Sequence, residues 1–268
     1  MSPLEMLTTP GENGMNLLDE LRHSFDSQFV ISFGGTGLTQ YILWMLITAT
    51  LTVVVVLVGA RKDSLIPTNK FAHTIEFLYH NICGDMGTSA IGKGYQRHMT
   101  LIATFFFFIL VSNFVGLIPG CKTPTGSLSV TWALSTVSFF YFNYQGIKAR
   151  GGWGYIKSIA PAGLPVVMVP IIWFFELISL VLRWLTLAVR LYGNMFAGHM
   201  VLGIFSLMTY VFVAGAIQQM NLILGLPAIA WMALLIVMYA LETLVAFLQA
   251  YVFAVLSASY VGLATSEH

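Results

Sequence analysis

A chain of 268 residues that is 57% hydrophobic and 9% charged, with a mean hydropathy of +0.83, carries too little charge for a water-facing surface and reads as a membrane protein. Its formal net charge of +1 gives no reason to expect nucleic acid, because the few basic residues sit at the ends of apolar runs instead of forming a stripe. Cys83 and Cys121 lack metal-ligand spacing, and two cysteines do not establish a disulfide framework.

Residues 1–38 form an acidic head with Glu5, Glu12, Asp19, Glu20 and Asp26, and lack the basic start of a secretory signal. The first membrane span is expected within 39–65, where Tyr41–Ala60 is apolar and ends at Arg61-Lys62. At about 1.5 Å per residue this run crosses a hydrocarbon layer of about 30 Å. Residues 66–98 mix apolar positions with Lys70, His73, Glu76 and His80 before the glycine-rich DMGTSAIGKG, which fits an interfacial amphipathic helix followed by a loop. An ordinary cytosolic connection is the alternative. A transmembrane hairpin follows over 99–146. Its two helices, Met99–Ile118 and Leu128–Gln145, are joined by a turn whose Pro119, Gly120, Pro124 and Gly126 suit a headgroup boundary better than a helix interior.

After a loop at 147–165, residues 166–262 are too long for two upright crossings. Two tilted or bent helices meeting near Gln218–Gly225 absorb the excess, and 263–268 is a short tail. The expected fold is therefore an all-α polytopic membrane protein with about five membrane segments, an interfacial helix and a long C-terminal hairpin. With the N-terminus outside, the positive clusters at 61–70, 93–97 and 148–157 fall inside, and only Arg22 and Lys122 lie opposite.

The chemistry concentrates in that hairpin. From Leu191 to Ser266 there is no Lys or Arg and one carboxylate, Glu242, while Arg190 stands between two strongly apolar regions. A charge at the bilayer centre costs roughly 2.5–3.5 kcal/mol on insertion scales, so Arg190 is expected to face protein or a water-filled cavity. Glu176, Arg183 and Arg190 are spaced seven and seven, which places them on one stripe of a helix roughly 21 Å long. Asn194 lies one turn beyond Arg190 on nearly the same side, whereas His199 points about opposite. Glu242 and Gln249 are again seven apart, a titratable carboxylate beside an amide that can hold an arginine or water without ionising. The plainer alternative is that Arg190, Asn194, Glu242 and Gln249 make packing contacts.

ELISLVLRWLTLAVRLYGNMFAGH, from Glu176 to His199, resembles the a subunit of the membrane sector of rotary F-type ATP synthases, with RLYGNMFAGH as its most specific part. NFVGLIPG followed by PTGSLSVTWAL resembles that family's second and third membrane segments, and LETLVAFLQAYVFAVL its last helix; the likeness runs over roughly 70–262. It implies that Arg190 is the family's indispensable arginine, that Asn194 and Gln249 are its polar neighbours, and that His199 and Glu242 are an interacting pair near the outer proton path. Glu176 would serve the inner path, and Arg183 fills the second basic position. Trp184 replaces a usual proline, which bears on the local bend of the helix.

The function implied is a proton-conducting stator that offers two offset half-channels to a rotating ring and couples proton flow to ATP synthesis. The implied neighbours are the ring of small proteolipid c subunits, peripheral-stalk subunits of the b type, the remaining F-type ATP synthase subunits and membrane lipid. No cofactor, metal or ATP-hydrolysing site is expected, since no GxxxxGK[ST] phosphate loop occurs. The setting is an energy-coupling membrane, with the bacterial inner membrane favoured over the chloroplast thylakoid. Two other classes compete: a self-contained secondary transporter binding a small ion at Arg190 and Glu242, which predicts a repeated architecture, and a non-conducting scaffold, which leaves the charged stripe without a purpose.

Overall fold

The computed structural model describes residues 29–33, 36–59, 70–92, 94–118, 120–158, 168–219 and 222–265. The acidic head up to residue 28, the Arg61-Lys62 cluster, residues 159–167 of the following loop and the last three residues lie outside them. Among the described residues nearly everything is helical. The exception is a short antiparallel hairpin, β1 (Phe29–Phe33) with β2 (Thr36–Thr39), just ahead of the first helix.

Helix α1 (Gln40–Gly59) is apolar on all sides and exposes most of its surface, as a lipid-facing helix should. The hydroxyls of its buried Thr48 and Thr52 donate to carbonyls a turn back on the helix itself. Next come α2 (Lys70–Phe77), a π-helical stretch (Leu78–Gly84) and α3 (Asp85–Ala90). Ile75 of α2 fills the space over Gly59 of α1, and the backbone of Ala90 lies against Gly262 near the end of the chain. The region thus touches the C-terminal ends of the first and the last helix.

Helix α4 (Gln96–Gly116) is the buried axis of the fold. Ile102, Phe106 and Ile109 are fully enclosed, and the rings of Phe105 and Phe106 meet Phe253 and Phe247 edge-on. What lets α4 approach so closely is a row of alanines four apart on the last helix, Ala246, Ala250, Ala254 and Ala258, all fully buried. Small residues at one face are what bring membrane helices together, where no hydrophobic force separates protein from lipid.

The link after α4 is not an exposed turn, although its prolines and glycines are those of one. A short 3-10 turn (Pro124–Gly126) folds back between helices, with Thr123, Pro124 and Thr125 buried. Its two threonine hydroxyls find partners inside the chain. Thr125 donates to Asn113 Oδ1, and the single proton of Thr123 has two acceptors in reach, the Ser112 carbonyl and the Thr125 hydroxyl.

Helix α5 (Leu128–Arg150) packs against the two long helices and is followed by α6 (Gly152–Ser158), whose Tyr155 covers Gly146 and donates to Asn143. Burial pushes the Tyr155 phenol up, with the charges of Arg150 and Arg183 pulling the other way. The long hairpin closes the structure: α7 (Val169–Gln219) runs unbroken for 51 residues and α8 (Leu222–Thr265) for 44. Among the described residues four helices, α1, α4, α7 and α8, are long and apolar enough to cross a membrane. Helix α5 is long enough but more polar, carrying Thr131, Ser135, Ser138 and Asn143.

Candidate functional site

Three contacts set the register of α7 against α8. Arg183 lies over the Tyr260 ring, with 5.8 Å between guanidinium and ring centre, Gly198 meets the Glu242 carboxylate, and Phe205 and Phe212 flank Trp231. The helices are therefore antiparallel, and stepping seven residues back from Gly198 and seven on from Glu242 brings Leu191 level with Gln249. Arg190, Asn194 and Gln249 are in this way gathered at one depth and Gly198, His199 and Glu242 at the next.

Arg190 does not lie inside the chain. The buried side of α7 here is Leu187, Ala188, Leu191 and Met195, and Arg190 stands on the opposite, exposed face. It makes no hydrogen bond or ion pair with any described residue. Beside it on that face are Gly193, where an added Cβ would meet nothing, and the exposed Ala197. An arginine with small neighbours at three and seven residues' distance makes a smooth outward strip that a second helical surface can approach. The burial expected from the sequence is thus not supplied by this chain alone.

Glu242 behaves in the opposite manner. Its side chain is 7% exposed, and the carboxylate rests directly on the α7 backbone at Gly198, where any side chain would collide with it. His199, the next residue, is half-buried. Glu242 Oε1 and His199 Nε2 are each enclosed with no hydrogen-bond partner among the described residues, as is Asn194 Nδ2. Gln249 is also buried, one helical stretch along from Glu242.

At the other end of the stripe the charges are matched. Arg183 Nη2 donates to Glu176 Oε1 at 3.0 Å. Trp184 leaves α7 unbroken. Its indole N–H donates to Thr136 of α5 at 3.0 Å, and its ring meets Trp132 edge-on.

Asn113 escaped the sequence reading. It is fully buried on α4, and its amide donates to the Ala246 carbonyl at 3.1 Å, between Glu242 and Gln249 on α8. Its position within NFVGLIPG was visible, but its partner is 133 residues away. The four-residue recurrence of alanine on α8 was the signal that could have marked that face as the packing side.

Residues 42–262 match the sequence model of the ATP synthase A chain. Among curated relatives, the chain is 34% identical over 249 residues to an ATP synthase subunit a 2 of Prosthecochloris aestuarii, covering 90% of this chain and 72% of that one. It is 34% identical to the ATP synthase subunit a of Maricaulis maris, covering 88% and 93% of the two chains. For the ATP synthase subunit a of Bradyrhizobium diazoefficiens the figures are 33% identity, 89% and 94%. The outward arginine, the enclosed carboxylate and these matches along most of the sequence agree: the chain belongs to the ATP synthase A chain family.

Proposed function

We propose a division of labour among the polar residues of this membrane subunit of F-type ATP synthase, in which Arg190 separates two aqueous half-channels. Glu242, His199, Asn194 and Gln249 serve the outer one and Glu176 with Arg183 the inner one. The chain is the stator component of the proton path, embedded in the membrane by several spans and working with the other subunits of the complex. Helix α5 is the fifth crossing in this reading.

The observation that carries the proposal is the exposed guanidinium of Arg190, without a partner among the described residues, on a strip of small residues. Such a charge needs an opposite charge brought to it, and a ring of small proteolipid subunits carrying carboxylates is the partner that fits. A carboxylic acid can travel through lipid while neutral, whereas a carboxylate strongly resists doing so. Each ring carboxylate would take a proton from one half-channel, circle through lipid as the acid, and release it into the other. Arg190 stabilises it in the interval when it is charged, and its own positive charge opposes a direct proton leak. Arginine suits this post because it stays protonated when partly desolvated, which lysine does not. The enclosed polar atoms of Asn194, His199 and Glu242 support a wet path on the outer side, since buried polar atoms find hydrogen bonds with water when protein offers none.

Peripheral-stalk subunits of the b type are the other proposed neighbours, nucleotide chemistry is assigned to other subunits, and the bacterial inner membrane is the proposed home. The test is Arg190→Ala in the assembled complex. Removing an intramembrane charge lowers the insertion cost, so the chain should still insert, while proton-driven ATP synthesis falls to background. Arg190→Lys should be severely impaired. Near-normal synthesis by the alanine variant in coupled vesicles would overturn the assignment.

A further inference from the structure

Two arginines stand on the same stripe of α7, one heptad and roughly 10.5 Å apart, yet they are treated differently. Arg190 has no partner among the described residues. Arg183 has two: the Glu176 carboxylate at 3.0 Å, one heptad back, and the face of the Tyr260 ring on α8 at 5.8 Å. The pair keeps 29% and 40% of its side-chain surface accessible, so it borders the medium outside the chain instead of being sealed in the core.

We propose that Glu176 acts as a fixed counter-charge to Arg183 and not as a proton carrier: its task is to keep Arg183 from adding a second uncompensated positive charge to the inner approach to Arg190. This deepens the reading above and rests on Glu176 lying along the inner path. The physical need is simple. A proton moving through that approach already faces the positive charge of Arg190. A second bare cation about 10 Å away, at the effective dielectric near a protein surface, would oppose it by enough to slow passage about tenfold. A carboxylate 3.0 Å from Arg183 turns the bare charge into a dipole, whose field has largely cancelled about 10 Å away. The Tyr260 face holds the guanidinium in place from the other side, so the counter-charge stays where it is required.

The experiment measures ATP-driven proton pumping and passive proton flux in inverted vesicles holding the assembled complex, normalised to the amount of complex. Glu176→Gln leaves Arg183 bare and should slow flux about tenfold. Adding Arg183→Gln removes the bare charge, and flux should return to within about threefold of the parent. A residue that carried protons itself could not be dispensed with in this way.

A second arm keeps the result readable if either glutamine variant assembles poorly. Glu176→Cys, in a background without Cys83 and Cys121, is treated after assembly with an anionic ethylsulfonate thiosulfonate reagent or with a neutral methyl one. A sulfonate stays ionised at every working pH and cannot relay protons. Recovery of flux with the sulfonate and not with the neutral group supports the counter-charge. Failure of both the sulfonate and the double variant to recover flux, with Glu176→Gln slow, would overturn it while leaving Glu176 on the inner path as a true carrier. Full activity in Glu176→Gln alone would remove Glu176 from that path and the counter-charge with it.

Discussion

Gly198 leaves the space that the Glu242 carboxylate fills between the two long helices. With no side chain there, the carboxylate can lie against the α7 backbone one residue before His199, and Glu242 Oε1 and His199 Nε2 both lack a hydrogen-bond partner among the described residues. Two groups so placed and so enclosed should act as one proton-access unit, each altering the work of protonating the other. Glu242→Gln and His199→Ala should each slow proton uptake through the outer side. The double variant should lose less than the product of the two single losses. Initial rates of ΔpH-driven uptake in vesicles give the cycle, and fully multiplicative losses would count against coupling. Arg190 and Glu242 stand out in the sequence as candidates because a lone charge in a long apolar run is costly and has few explanations. That Arg190 faces outward was not legible. Periodicity places residues on a common face but does not say whether the chain itself covers that face.

At the level of helices, α8 is held in its rotation by α4 through one long-range contact. Asn113 donates to the Ala246 carbonyl, and Thr125 donates to Asn113 in turn, so the amide is oriented from both sides. Since all three are buried, losing one leaves a buried polar group unsatisfied, at about 1–3 kcal/mol. Asn113→Leu and Thr125→Val should each lower the thermal stability of the subunit within the purified complex by an amount of that order. The double change should cost clearly less than the sum. Additive losses would mean the two residues work separately. Sequence reading could not find this link, because Thr123 and Thr125 stand beside prolines and glycines and so look like an exposed turn. The helical character of the chain and its long C-terminal hairpin were readable, since apolar length and capping charges are local properties. Trp184 shows the limit in another way. Its effect on α7 depends on Thr136 and Trp132 of a different helix, and no local rule could supply them.

Across the molecule, Glu176 and the level of Gly198 and Glu242 are separated by 22 residues of α7, about 33 Å of helix, with Arg190 between them. In the orientation proposed from the positive clusters the Glu176 end faces the inside, and the two carboxylates should then open to opposite aqueous phases. Single cysteines at positions 176 and 242, without Cys83 and Cys121, should react with membrane-impermeant thiol reagents from opposite sides of sealed, oriented vesicles. Reaction of both from one side would require a different arrangement of the path.

The apolar stretch of α7 covers residues 169–214, about 69 Å of helix, whereas the hydrocarbon layer is about 30 Å thick. It can stay in that layer only by lying well over, so much of its length is spent along the membrane plane. The electrical force on a proton acts along the membrane normal, at about 2.3 kcal/mol per charge per 100 mV. A path laid along such a helix enters and leaves at points displaced sideways. A charge driven down the voltage must then be carried around as well as across, and a force perpendicular to the membrane becomes torque within it.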